Sequence, residues 1–324
     1  MVSRTLEPVA ARRRPSRRAW ILGGAAGLGL AGLGAALYRT APSFWRQYFR
    51  EMGRRIAPAP RRPPIEQWAD SGLHAAWLGH TTVLLKMDGF WVLTDPIFSD
   101  RAGINLGPAT LGVKRLVAPA LAPDELPPVD LLLLSHAHMD HMDVPSLRKL
   151  ESARTAVVLA RHNSDLIRPR RFRQVQELAW GEQVRVGPAI LRAFEVNHWG
   201  ARLRADQHRG YNGYLLELGR WRVLFAGDTG DTAAFRRLRG ARPFHLAIMP
   251  IGAYNPWRRR HCTPEEAWRM ANEAGAERIL PVHHQTFILS REPVMEPIQR
   301  LHEIAGRQAD RIAASTVGDE LRIL

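Results

Sequence analysis

Four leucines in a row, Leu131–Leu134, run straight into Ser135 and then His136-Ala137-His138-Met139-Asp140-His141. Apolar sequence without alternation suits a strand covered on both faces, so the chain must supply layers on either side of it. The pattern predicts a strand over 129–134. Four potential metal ligands in the next six residues must then be solvated, paired or bound to a cation, and beside a buried strand a cation is the economical outcome. Imidazoles at i and i+2 of an extended segment point to one side. A turn after them lets Asp140 and His141 face a second point, so one short loop can serve two metals. A solvated surface loop is the alternative.

The sequence around this run alternates short apolar stretches with turn signals. Strands are expected at 74–78, 82–86 and 90–94, the last two joined by Met87-Asp88-Gly89, and again near 155–159, 189–196, 213–218, 221–226, 244–249, 278–282 and 319–324. Helices fit 144–151, 231–239, 263–275 and 292–305. The third opens on Thr263-Pro264-Glu265-Glu266, a cap, a proline at the first helical position and acids in the first turn. Two sheets with helices outside them follow. Polar residues that end strands recur: Asn197-His198-Trp199 after 189–196, Phe225-Ala226-Gly227-Asp228-Thr229-Gly230, and Pro281-Val282-His283.

Charge is distributed unevenly. The net charge is +15, yet residues 1–64 hold thirteen Arg against Glu7 and Glu51, so the basic excess belongs to the N-terminal segment. That argues against a nucleic-acid groove on the folded part, which would need the positive surface itself. Residues 19–38 are uncharged and long enough to cross a bilayer as a helix. The preceding Ser16-Arg17-Arg18-Ala19-Trp20-Ile21 resembles a twin-arginine export signal, so 1–38 reads as a signal or an uncleaved anchor. Phe44, Trp45, Tyr48, Phe49, Met52 and Ile56 then recur at helical spacing opposite Arg46, Arg50, Arg54 and Arg55. This is the pattern of a helix lying on a membrane surface, the alternative being a helix packed on the folded domain. Ala57-Pro58-Ala59-Pro60-Arg61-Arg62-Pro63-Pro64 reads as a stiff linker. The segments are thus 1–38, a basic amphipathic and Pro-rich stretch 39–72, and a folded domain 73–324. A single cysteine, Cys262, excludes an internal disulfide and any Cys-rich zinc module.

The H-x-H-x-D-H run, with the later His198, Asp228 and His283, resembles the signature of the metallo-β-lactamase superfamily. That resemblance implies an α/β, four-layer αβ/βα sandwich with a dinuclear metal site at one sheet edge. It implies that His136, His138 and His198 hold one metal, that Asp140, His141 and His283 hold the other, and that Asp228 bridges them. Asp95, in Leu93-Thr94-Asp95-Pro96, would orient a ligand imidazole, as metal-bound histidines generally require. His80, in Trp77-Leu78-Gly79-His80-Thr81-Thr82, and His284 would support the ligands from behind. Over residues 73–305 the chain is most similar to N-acylphosphatidylethanolamine-hydrolysing phospholipases D. The matching segments include Thr94-Asp95-Pro96-Ile97-Phe98-Ser99, Pro250-Ile251-Gly252-Ala253-Tyr254, and His261 followed by Thr263-Pro264-Glu265-Glu266-Ala267. His261 matches a pocket histidine of that family. The stretch from Gly200 to Gly213, with Arg202, Arg204, His208 and Arg209, departs from the pattern.

Two cations sharing a water make hydroxide available near neutral pH, so no protein nucleophile is needed, and no G-x-S-x-G elbow is present. Asp140 and His261 are the catalytic candidates. The carboxylate would orient the attacking water or pass a proton, and the imidazole would help bind phosphate. An all-His/Asp set suits two Zn²⁺ per chain and also admits Mn²⁺ or Fe. The expected substrate is a lipid or small-molecule diester met at a membrane surface, without nucleic acid, by a chain whose family likeness suggests a homodimer. Lactone or other ester or amide hydrolysis on the same fold is the alternative activity, and a non-catalytic protein with structural metals is a third reading. Arg258-Arg259-Arg260 either binds anionic headgroups or is merely solvated.

Overall fold

The computed structural model describes residues 41–107, 109–203 and 205–324. The expected signal or anchor segment, residues 1–38, and Arg204 lie outside the described residues. The chain divides into two units, residues 1–53 and 54–324. In the first, Pro42–Met52 forms helix α1, on which Phe44, Trp45, Tyr48 and Phe49 make ring contacts one turn apart. No helix among the described residues is long and apolar enough to cross a membrane.

The second unit begins earlier than residue 73. The stretch read as a linker is laid along it. Ala57 bridges to Val117, Arg61 pairs with Asp319 at 2.6 Å, and Trp68 Nε1 donates to Glu320 at 2.6 Å. Proline removes backbone donors but leaves carbonyls and an extended shape that can lie against a sheet edge.

Chain order in this unit is β1 (Leu73–Gly79), β2 (Thr82–Met87), β3 (Phe90–Thr94), β4 (Arg101–Asn105), β5 (Thr110–Lys114), β6 (Leu131–Leu134), α2 (Val144–Lys149), β7 (Ala156–Ala160), β8 (Gln174–Leu178), β9 (Gln183–Val186), β10 (Ala189–Phe194), β11 (Gly213–Leu218), β12 (Trp221–Phe225), α3 (Ala234–Arg237), β13 (Leu246–Pro250), α4 (Pro264–Ala274), β14 (Ile279–Val282), α5 (Glu296–Ala305) and β15 (Glu320–Ile323). One sheet runs β15-β1-β2-β3-β6-β7-β8 and the other β14-β13-β12-β11-β10-β9, with β4–β5 a separate hairpin. The two inner faces share one core. Trp77, Leu84 and Leu132 from the first sheet join Leu216, Val223, Phe225 and Ile248 from the second. Alternate residues of the second sheet, Leu215, Leu224, Ala247 and Met249, pack outward with Ala267, Met270, Ala271, Ile298 and Leu301 of α4 and α5. Burial on both faces is why these strands read as unbroken apolar runs.

Several elements differ from expectation. Strands β8 and β9 and the β4–β5 hairpin were not foreseen, because the first two are polar edge strands and Gly103 faces Gly112 across the hairpin without apolar alternation. The helix expected at 231–239 shrinks to α3, its start held by Thr232 Oγ1 accepting from Ala234 N at 3.2 Å. That expected at 292–305 begins at Glu296, since Glu292 instead accepts from the backbone of Ala253 and Asn255. Thr263 and Glu266 cap α4 reciprocally.

Candidate metal centre

Parallel pairing sets β3 against β6 and β12, β13 and β14 against one another, so their C-terminal ends share an edge within each sheet. The polar residues that follow these strands converge. Asp95 follows β3, His136, His138, Asp140 and His141 follow β6, His198 follows β10, Asp228 follows β12, and His283 follows β14. Their ligand atoms form overlapping groups, including His136–His138–His198 and His80–Asp140–His141–His283, with each group's atoms within 4.8 Å of one another.

The hydrogen bonds behind these groups fix which ring nitrogens face inward. Asp95 accepts from Ser135 N at 2.7 Å, from Ser135 Oγ at 2.5 Å and from His141 Nδ1 at 2.7 Å. Because Ser135 Oγ donates to Asp95, it accepts from His136 Nδ1 at 2.8 Å. His198 Nδ1 donates to the Arg260 carbonyl at 3.0 Å. His136 and His198 therefore turn bare Nε2 lone pairs inward, 2.8 and 3.2 Å from His138 Nδ1. One N–H cannot satisfy that cluster of nitrogens, whereas a cation can. Burial drives all three imidazoles below their usual pKa, which keeps them neutral and fit to bind a metal.

The second group centres on carboxylates. Asp228 Oδ2 lies 3.1 Å from both His141 Nε2 and His283 Nε2, and 3.8 and 4.0 Å from His198 and His136 Nε2. Asp140 Oδ2 is 3.4 Å from His283 Nε2 and accepts from His80 Nε2 at 3.0 Å. Burial works against the Asp140 and Asp228 charges, yet the His141 imidazole beside them, with His283, holds both pKa values well below the carboxylate range. Conversely, burial opposes protonation of His141 and His283, but the two carboxylates hold His141 well up and His283 at about 9. His141 Nε2, His283 Nε2 and Asp228 Oδ1 are buried without a hydrogen-bond partner. Buried orphaned nitrogens facing buried carboxylate oxygens, with no thiolate among them, fit a divalent cation.

Holding this edge together strains the backbone. His80, Asp95 and His283 adopt positive φ of 52°, 31° and 66°, a conformation that costs non-glycine residues about 1–3 kcal/mol. His283 N donates to the His80 carbonyl at 3.0 Å, His80 N donates to Thr286 Oγ1 at 2.7 Å, and Trp77 Nε1 donates to the His80 carbonyl at 2.8 Å. Gly227, at φ 59°, lets the turn before Asp228 pass Ser135, whose Cβ would stand 2.7 Å from any added methyl.

His261 is also brought in, its Nδ1 3.7 Å from Asp228 Oδ2, and burial lowers its pKa to about 4. His284, by contrast, stacks on Trp77 at 4.5 Å and takes no place among the converging atoms. His80 stands closer than a supporting role requires, within the Asp140 group itself. Cys262 is buried, with its thiol pKa pushed well up by burial. Sequence reasoning gave Ser135 no role beyond ending a strand, although its position between the buried leucines and the first histidine is the available signal. Arg202 was noted without a role; its Nη1 donates to the carbonyls of Ala137 and Met142 at 2.9 and 2.8 Å, clamping both sides of the ligand loop.

Two facing α/β layers with this His/Asp cluster at their shared edge define a metal-dependent hydrolase of the metallo-β-lactamase fold. The family described as a beta-lactamase superfamily domain matches residues 90–284, and the chain belongs to it. It is similar to an uncharacterised protein of Mycobacterium tuberculosis, 32% identical over 279 residues, 83% of this chain and 74% of that one. It is 30% identical over 260 residues to N-acyl-phosphatidylethanolamine-hydrolyzing phospholipase D 1 of Caenorhabditis elegans, covering 75% of this chain and 72% of that protein. Among solved structures, a metallo-hydrolase of the archaeon Ignicoccus hospitalis superposes with a TM-score of 0.59 at 17% identity, over 78% of this chain and 99% of that one.

Proposed function

We propose that the chain is a phosphodiesterase of phospholipase D type acting on N-acyl phosphatidylethanolamine-like lipids, with two Zn²⁺ ions per chain. The observation that carries this reading is Asp228 Oδ2, set between the His141–His283 pair and the His136–His198 pair as a bridging carboxylate would be. The likeness to the nematode enzyme supports the choice of substrate. His136, His138 and His198 would hold one ion, Asp140, His141 and His283 the other, and Asp228 both. Bound there, such ions supply hydroxide at neutral pH and neutralise charge developing on phosphoryl oxygens.

The chain's own groups divide the remaining work. Asp140, an ionised carboxylate oriented by the His80 N–H, would take the proton released by the attacking water and pass it to the leaving alkoxide oxygen. His261 is neutral at pH 7 and offers one N–H to a phosphoryl oxygen. Hydrolysis of bis-p-nitrophenyl phosphate with added Zn²⁺ or Mn²⁺ tests the assignment. Wild type cleaves it, Asp140→Asn loses about 10²–10⁴-fold in kcat, and His261→Ala acts mainly by raising KM. If the metal-loaded wild type leaves the diester intact but opens lactones, the bond has been misassigned.

Membrane contact through α1 is part of the same reading, supported by its aromatic residues and by Arg46 and Arg50. Each basic residue contributes about 1 kcal/mol at an anionic surface. The double change Arg46→Glu, Arg50→Glu is expected to cut co-sedimentation with anionic vesicles at least about tenfold. Undiminished retention would remove the helix from the account. Attachment to the inner membrane, or export through the 1–38 segment, belongs to this proposal too.

A further inference from the structure

Beside the first ligand group lies a cavity of about 540 Å³, walled by His198 and lined by Trp199, Arg202, Leu203, Gln207, Tyr211 and Arg260. It falls in the stretch where the sequence departs from the phospholipase pattern. Two features set it apart. Among the described residues that line it, it carries two guanidinium groups and no carboxylate. It also abuts the metal centre directly, since the Trp199 ring lies 4.4 Å from that of His198 and 4.7 Å from that of His138.

The two arginines are held in place by single nitrogens. Arg202 uses Nη1 for the carbonyls of Ala137 and Met142, and burial lowers its pKa from the usual guanidinium value. Arg260 uses Nη1 for the His198 carbonyl at 2.9 Å and Asn197 Oδ1 at 3.2 Å. Each keeps further N–H donors for a ligand. Arg258, in the same triple-arginine run, pairs with Glu266 at 2.9 Å. The run therefore splits, with Arg258 held on the surface of α4 and Arg260 at the cavity. Anchored guanidiniums with donors to spare, beside an indole and the apolar Leu203, form a site for an anion attached to a larger molecule.

We infer that this cavity selects diesters carrying a second anionic group, a carboxylate or a phosphate, on the headgroup side of the scissile phosphate. The inference rests on the phosphodiesterase reading and narrows its substrate: the N-acylethanolamine headgroup is uncharged, so within that class the cavity favours an N-acyl headgroup that also bears an acid. Because His198 belongs both to the ligand cluster and to the cavity wall, a phosphate at the cluster lies next to the cavity, and a second anionic group on the same molecule would reach Arg260 and Arg202. A charge-assisted hydrogen bond to guanidinium is worth about a tenfold change in affinity.

The test uses two fragments of the substrate's headgroup side, O-phosphoserine and phosphoethanolamine, which share the phosphate and differ by one carboxylate. Each is titrated calorimetrically into the zinc-loaded full-length protein. Wild type is expected to bind phosphoserine about tenfold more tightly, and Arg260→Leu to bring the ratio near one. Arg260→Lys, which restores the charge but not the fork, should recover part of it. Metal content and circular dichroism matched to wild type establish that the variants keep the ligand set. Equal affinities in wild type, or a ratio unchanged in Arg260→Leu, would overturn the inference. Because binding is read without turnover, a failure of diester hydrolysis would count against the phosphodiesterase reading and leave this result separate.

Discussion

Ser135 and Asp95 act as one unit. Ser135 gives its hydroxyl proton to Asp95 and receives one from His136, while Asp95 takes the Nδ1 proton of His141. A single carboxylate thereby fixes the tautomer of a histidine in each ligand group. Such support from behind is worth about 10–100-fold in metal affinity. Asp95→Ala is accordingly expected to weaken zinc binding by that factor, measured by competition with a chromogenic chelator. Affinity equal to wild type would show that the ligand rings are oriented by packing alone. The sequence identified Asp95 through its family segment. Ser135 had no such marker, because its role comes from β3 and β6 lying side by side.

At the scale of elements, α4 carries its own start signal. Thr263 Oγ1 accepts from Glu266 N at 3.3 Å, and Glu266 accepts from Thr263 N at 2.9 Å. Loss of the cap in Thr263→Ala should lower unfolding free energy by about 1 kcal/mol, read from urea denaturation. Strand β8 has a less legible device. Glu177 accepts backbone N–H groups of His162, Asn163 and Ser164 at 2.9, 2.9 and 2.7 Å, pinning the chain that leaves β7. Burial opposes its charge, but those bonds lower its pKa. A depressed carboxylate stabilises the fold above its unfolded pKa, and that contribution is lost as pH falls through the folded value. Glu177→Gln should therefore be less stable than wild type at pH 7, with the gap closing below about pH 4. A gap independent of pH would mean that the charge plays no part. Nothing in Gln174–Leu178 advertised this strand, since its apolar alternation is weak and its anchor lies in the preceding loop.

In the whole molecule the candidate ligands come from both sheets: His136, His138, Asp140 and His141 from the first, with Asp95 behind them, and His198, Asp228 and His283 from the second. A cation bound among them would tie the two layers together in the folded state only. A divalent cation at a hundred times its dissociation constant would add about 2.7 kcal/mol, which for a domain of this size raises Tm by roughly 5 °C. Chelation should lower the calorimetric Tm by that much, and re-addition should restore it. An unchanged Tm would mean that the ligand cluster stands without a metal. Cys262 offers an independent probe of the same unit. Its buried thiol should react with Ellman's reagent only on unfolding, and prompt reaction in the folded protein would contradict its burial.

The sequence by itself determined which residues could bind a metal and which strands are covered on both faces. Both properties are local: ligand density in six residues, and apolar runs such as Leu131–Leu134 that no half-exposed strand would carry. It also determined the capped start of α4. The tertiary structure alone decided how those residues meet. It set Asp228 Oδ2 between the two histidine groups, brought His80 to Asp140 from another turn, and left His284 stacked on Trp77. It drew residues 57–72 onto the catalytic unit and opened the Arg202–Arg260 cavity beside His198. The physical reason is range: propensity and periodicity act within a few residues of chain. Strand order and sheet packing bring together groups 60 to more than 200 residues apart, such as His138 with His198 and His80 with Thr286.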